Sequence, residues 1–283
     1  AFKFLHNHLF SSAKTGYTKT ILCCILAGYM KRFSKENLVP LSALTPKPLW
    51  QHFQTLCDIP RPSKHEAVLI KEITDWCGKN NINARQDEVG NLILSKPASK
   101  GKEDALPVVL QSHLDMVSQK TNESSHDFFT DSIIPQVQGD WVKATGTTLG
   151  ADNGIGVAAI LAVLGDATLV HGPIEALLTV DEEAGMSGAA GLAGDVLAGK
   201  VLLNLDTEEE GELYVGCAGG VDVNAHFQLQ LEAAQGDYLA YEIKISGLQG
   251  GHSGIEIHKP LANGNQLLAR LLESCLQQGT KIS

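Results

Sequence analysis

Seven side chains in this sequence could ligate metal or move protons: His113, Asp115, Asp152, Asp181, Glu182, Glu183 and Asp206. Mixed imidazole and carboxylate donors suit zinc, manganese or cobalt better than an all-oxygen cage for a hard cation. His113 and Asp115 are two residues apart, so on a strand they project to the same side. One can then ligate an ion while the other orients the ring; a plain surface turn is the alternative. Asp152 lies in TTLGADNGIGVAAILA (147–162). At the start of an apolar, small-residue helix its carboxylate could bridge two ions, or simply cap the helix. The GIG that follows is no dinucleotide fingerprint, because G-x-G-x-x-G is absent. Asp181-Glu182-Glu183 packs three like charges after an apolar run. A solvated turn would explain them. So would a division of labour in which one carboxylate binds metal and its neighbour takes a proton from water acidified by that metal. Asp206 ends a further apolar run, and Glu208, Glu209 and Glu210 after it read as a solvated turn.

These residues need a scaffold that brings them together. Three short apolar runs, 107–115, 174–183 and 201–206, each end in the acidic or imidazole groups just named. Continuous apolar runs of this length suit strands buried on both faces. Gly/Ala-rich stretches at 153–164 and 188–197 read as the helices between them. The alternation predicts an α/β domain with a mixed, largely parallel sheet flanked by helices. Ligands bind beyond the carboxyl ends of such strands, where all three polar clusters would lie. Upstream, Leu49, Trp50, Phe53 and Leu56 stand at helical spacing, and DIPRPS (58–63) is a turn. Ser63 and Glu66 occupy capping-box positions for a helix over 64–79 that would bury Val68, Leu69, Ile73 and Trp76. Beyond Gly220 the texture changes. Residues 221–231 and 240–246 alternate like half-exposed antiparallel strands, 247–254 is a glycine-rich loop, and 261–277 reads as an amphipathic helix. A second, smaller α+β domain is expected there.

Composition sets the outer limits. The 283 residues are 43% hydrophobic and 19% charged, as in ordinary globular proteins. There are 22 basic and 32 acidic residues, a formal net charge of −10. Residues 1–35 hold six basic residues and no acid, which leaves 16 basic against 32 acidic in the rest. Such an acidic body repels nucleic acid and anionic membranes and suits small zwitterionic substrates or metal ions. The six cysteines form no C-x-x-C pair and read as reduced thiols of a cytoplasmic protein. The apolar run at 21–29 is too short to span a bilayer. Residues 1–29 read as a disordered extension, with a targeting segment as the alternative.

Five ordered segments carry a resemblance: QSHLDMV (111–117), TTLGADNGIGVAAILAVL (147–164), TVDEEAGMSGAAGL (179–192), LLNLDTEEEGELYVGCAGG (202–220) and GLQGGHSGIEIH (247–258). Together they resemble the co-catalytic zinc exopeptidases of the aminoacylase/carboxypeptidase superfamily, most closely its dipeptidases that act on Xaa-His and broader dipeptides. The resemblance implies two Zn2+ ions, with Co2+ or Mn2+ as substitutes. It implies Asp152 as the bridge, His113 and Asp206 on one ion, and Glu183 on the other. Asp115 would orient His113, Glu182 would be the general base, and His252 would stabilise the oxyanion. A cis peptide at Asp152-Asn153 is also expected. The implied organisation is a leader over 1–45, a catalytic domain over 46–219 and part of a lid domain over 220–283. The implied partner is a small peptide, and a homodimer through the lid is compatible with it. Family members continue further and supply another histidine on the second zinc, a position that His258, His6 and His8 do not match. The alternatives are an N-acyl amino-acid deacylase, a tripeptidase, or a fragment inactive for want of that ligand.

Overall fold

A computed structural model describes residues 40–207, 211–217, 223–228, 230, 236, 239, 241–251 and 256–279. The expectations for residues 1–39 of the leader, Glu208–210 and His252 lie outside the described residues, whereas Leu41, at the leader's end, is buried in the core. Two compact units are distinguished, one within residues 34–220 and one containing 221–283.

The first unit is built on a five-stranded mixed sheet. Its strands are β1 (Asn83–Gln86), β2 (Leu92–Lys96), β3 (Val108–His113), β6 (Ile174–Thr179) and β7 (Val201–Asn204), in the order β1-β2-β6-β3-β7. β3 pairs parallel with both β6 and β7, in the register His113↔Thr179 and Gln111↔Asn204. β2 and β1 add antiparallel at the other side. The three apolar runs therefore form the parallel part of the sheet, and their carboxyl ends face one way. β4 (Pro135–Gln138) and β5 (Trp141–Ala144) form a separate hairpin. Gly139 turns it with a φ of +62°, a left-handed value that costs glycine little.

Helices α1 (Lys47–Asp58), α2 (Ala67–Lys79) and α3 (Ala151–Gly165) pack on one face of the sheet. Phe53 and Leu56 of α1, Leu69, Ile73 and Cys77 of α2, and Val157, Ile160 and Leu164 of α3 join Leu94, Ala176 and Leu178 in one buried cluster. Burying each large aliphatic contributes roughly 1.5–3 kcal/mol. The opposite face is covered by Leu192, Val196 and Leu197 over Ile93, Val109 and Leu177.

Four local expectations need correction. The helix predicted over 64–79 starts only at Ala67, without a side-chain cap. Ser63 and Glu66 hydrogen-bond elsewhere, as described below, and Val68 is solvent-exposed while Ile70 and Cys77 are buried. The helix predicted over 188–197 is confined to α5 (Ser187–Ala190), after the single turn α4 (Glu182–Gly185). Gly191 and Gly194 each lower helix propensity by about 1 kcal/mol, so the chain continues as an irregular cover that half-buries Leu192, Val196 and Leu197. β7 is exposed along its whole length because, among the described residues, it ends the sheet and pairs only with β3. The alternating segments after residue 220 form no strand among the described residues. Among the described residues no neighbouring strand accepts hydrogen bonds from them, and alternation alone does not make a strand.

In the second unit the predicted helix is present as α6 (Gly264–Gln277), capped by Asn263, whose side chain accepts from the Gln266 amide at 3.1 Å. No helix among the described residues is long and apolar enough to cross a membrane.

Candidate metal centre

His113 is the last residue of β3, and its ring is buried. Its Nδ1 lies 3.1 Å from the Asp115 carbonyl oxygen and 3.3 Å from Asp115 Oδ1. That leaves Nε2 aimed beyond the strand end, at 3.0 Å from Asp152 Oδ1, 3.7 Å from Asp206 Oδ1 and 3.9 Å from Glu182 Oε2. Asp152 enters from the first turn of α3, Glu182 and Glu183 from α4 after β6, and Asp206 from the end of β7. Two groups of donor atoms lie within 4.8 Å of one another: His113 with Asp152 and Asp206, and His113 with Glu182 and Glu183. Donor sets of one imidazole with carboxylates fit the divalent ions expected from the sequence. In this grouping His113 is common to both sets, whereas the resemblance gave the shared position to Asp152.

Asp115 is fully buried and does not face the donor cluster. Its carboxylate accepts from the backbone amides of Glu182 and Glu183, each at 3.0 Å, and from the Ser63 hydroxyl at 2.7 Å. It thus fixes the His113 ring on one side and the start of α4 on the other. Asp181 turns away from the donors. Its backbone is left-handed at φ +55°, its amide donates to Glu66 Oε1 at 2.9 Å, and Ser187 donates to its carboxylate at 2.6 Å.

The electrostatics follow from crowding. Burial would lower the His113 imidazole, but hydrogen bonds to Asp115 and Asp152 and the charge of Asp206 outweigh it and raise it to about 10. Burial would raise Asp115, yet His113, Ser63 and the two amides hold it down at about 2. Burial and the charge of Asp152 push Glu183 up to about 7. Burial, followed among the raising influences by Asp206, Asp115 and Asp152, also raises Glu182, against the pull of His113. Burial raises Asp206 as well. Carboxylates crowded in this way favour a proton or a cation between them.

Two residues outside the predicted set organise the site. The Asp152–Asn153 peptide is cis, as expected. Asn153 donates to the Leu205 carbonyl at 3.2 Å and to the Asp206 carboxylate, and it accepts from Ser112. The amide thereby links the ends of β3 and β7 to the start of α3. Arg61, in the turn before α2, is buried with its guanidinium hydrogen-bonded to main-chain carbonyls. Neither role has a local signature, since the partners lie tens of residues away along the chain.

A mixed α/β sheet with a histidine–carboxylate cluster at its parallel strand ends defines an α/β protein with a candidate two-metal centre. The profile of peptidase family M20/M25/M40 matches residues 109–280, and the chain belongs to that family. The chain is 53% identical to the cytosol non-specific dipeptidase of Escherichia coli (strain K12) over 232 residues, which is 82% of this chain and 48% of that protein. It is 29% identical to the uncharacterized protein YqjE of Bacillus subtilis (strain 168) over 76% of this chain and 53% of that one. Among solved structures, aminoacylhistidine dipeptidase from Vibrio alginolyticus is similar at a TM-score of 0.63 and 45% identity, covering 84% of this chain and 49% of that chain. The chain spans about half the length of the curated relatives it matches.

Proposed function

We propose that this chain carries the catalytic part of a metal-dependent dipeptidase. The observation that carries the reading is the convergence of His113, Asp152, Asp206, Glu182 and Glu183 beyond the carboxyl ends of β3, β6 and β7. Similarity to a non-specific dipeptidase at 53% identity and to an aminoacylhistidine dipeptidase at 45% supports dipeptides, Xaa-His among them, as the substrate class. On this reading His113 and Asp206 would hold one ion, Glu183 would hold the other, and Asp152 would serve both. Two zinc ions there, or cobalt or manganese in their place, would acidify bound water and polarise the peptide carbonyl.

The protein's own groups do the rest. Asp115 holds the His113 ring with Nε2 forward, which fixes the ligating nitrogen. Glu182 has its carboxyl raised by burial and by neighbouring carboxylates, which suits it to take a proton from the attacking water and return it to the leaving amine. His252 would contact the carbonyl oxygen; it lies outside the described residues. Residues 46–219 then form the catalytic domain and 220–283 part of a lid. The acidic body suits a small zwitterionic peptide, and the relative's name, a cytosol dipeptidase, supports a cytoplasmic location.

The test is hydrolysis of Xaa-His and other dipeptides by the longest polypeptide the gene encodes, with N-acyl amino acids and tripeptides alongside. We expect cleavage that needs added metal and prefers dipeptides. Glu182→Gln should lower kcat by about 10²–10⁴-fold while metal is still taken up. Cleavage indifferent to chelation, or a Glu182→Gln variant as fast as its parent, sinks the reading.

A further inference from the structure

The turn between α1 and α2 contributes more than a change of direction. Its residue Arg61 is 1% exposed and inserts beneath the metal centre. One guanidinium nitrogen, Nη1, donates to the carbonyls of Leu114 at 2.8 Å and Asp115 at 2.9 Å. The other, Nη2, donates to the carbonyl of Gly150, and Nε donates to that of Leu56 at 3.4 Å. The first pair of carbonyls directly follows His113. The third lies two residues before Asp152. A single rigid fork therefore spans the strand end that presents the histidine and the helix entry that presents the aspartate.

The space for this fork is made by missing side chains. A Cβ on Gly150 would fall 2.5 Å from Nη2, and one on Gly154 would fall 2.6 Å from it and 3.2 Å from the Phe53 ring. The guanidinium cannot swing aside, because every direction forfeits a buried carbonyl. Both glycines lie at the start of the helix that carries Asp152. The same turn adds two more ties: Ser63 donates to the Asp115 carboxylate, and Glu66 accepts from the Asp181 amide just before Glu182.

We propose that Arg61 is a positioning residue of the metal centre: seated in the slot opened by Gly150 and Gly154, it fixes the separation of His113 and Asp152 and thereby sets metal affinity and coordination geometry. The inference rests on reading the His113–carboxylate cluster as a metal centre. Lysine cannot substitute, since its donors radiate from one nitrogen and cannot reach both segments as a planar fork does.

The experiment uses the 283-residue chain and its Arg61→Met, Arg61→Lys and Gly154→Ala variants. Each is titrated with Co2+ and followed by its visible absorption, with thermal melting of the metal-free proteins as the check on folding. Hydrogen exchange of the metal-free proteins is read over residues 113–117 and 149–155. Arg61→Met and Gly154→Ala should weaken Co2+ binding about 10–100-fold and alter the absorption bands. Exchange in the two segments should quicken together, with β1 and β2 unchanged. Arg61→Lys should not rescue either readout. If Gly154→Ala and Arg61→Met bind Co2+ with the parent's affinity and spectrum, the proposal is overturned while the metal centre stands. Rescue by lysine would overturn it too, assigning the effect to charge. A parent that takes up no Co2+ overturns both readings. Gly154→Ala keeps the decision open to measurement should Arg61→Met fail to fold, because it displaces the fork without removing it.

Discussion

His113 carries a proton at neutral pH in the metal-free protein, since its imidazole is raised to about 10. Its ion pairs contribute stability that is fully present below the unfolded value near 6.5 and lost as pH rises through about 10. On the proposed reading, a metal ion has to displace that proton. Glu183, raised to about 7, holds a second one below neutrality. Metal affinity should therefore climb with pH, and binding should release about two protons near pH 6 but about one near pH 8.5. Calorimetric titration in two buffers of different ionisation enthalpy counts them. Proton release that is absent, or that grows with pH, contradicts the assignment. His113, Asp115, Asp152, Glu182, Glu183 and Asp206 were all legible as candidates, because each follows an apolar run or opens a helix, and strand ends of one sense converge. Arg61 was not legible, because three of its four partners are backbone carbonyls 53 to 89 residues away that any sequence would supply. Ser63 and Glu66 matched a local capping pattern, yet both hydrogen-bond to residues far along the chain.

At the scale of elements, three apolar runs that look alike in sequence fare differently in the sheet. β3 and β6 lie inside it, whereas β7 has one neighbour and stays exposed. Leu178 is 0% exposed and Leu203 is 51% exposed. Leu178→Ala should cost about 2–5 kcal/mol by leaving a cavity. Leu203→Ala should change stability by less than about 0.5 kcal/mol, as surface substitutions do. Urea denaturation of the two variants measures the difference, and equal losses would contradict the burial of β6 against β7. Run length and residue type show that a segment is a strand; its place in the sheet depends on pairings that no single segment encodes. The irregular cover over 191–200 makes a related point. Its leucines and valine point to a buried face, and its glycines decide that the face is not helical. The β4–β5 hairpin could have been read from Gly139-Asp140 between two short runs, a two-residue turn signal that weak flanking alternation obscured.

For the whole molecule, the acidic charge and the metal reading bear on each other. Six of the acidic residues gather around β3, β6 and β7, where hydrogen bonds to Asp115, Asp181 and Asp206 offset part of their repulsion. The donor atoms are drawn from positions 113, 152, 182, 183 and 206, delivered by four different strand ends or helix starts. An unfolded chain holds these residues too far apart to chelate. The ion should therefore bind only the folded form and add about 2.7 kcal/mol of stability at a hundredfold excess over its dissociation constant. The midpoint of urea unfolding, followed with and without Zn2+, measures this, and a midpoint unmoved by metal would show that the donors do not bind as a set.

If the donors take up cobalt as proposed, the same dispersal makes its colour a gauge of tertiary order. Far-ultraviolet signals record helices and strands whether or not they have docked, and so cannot tell a loosely collapsed chain from a finished one. A ligand field assembled from four chain segments exists only when β3, β6, β7 and the entry to α3 are in register. Stopped-flow absorption during refolding in Co2+ would time the last of those crossovers to lock, and would separate it from the earlier formation of the helices.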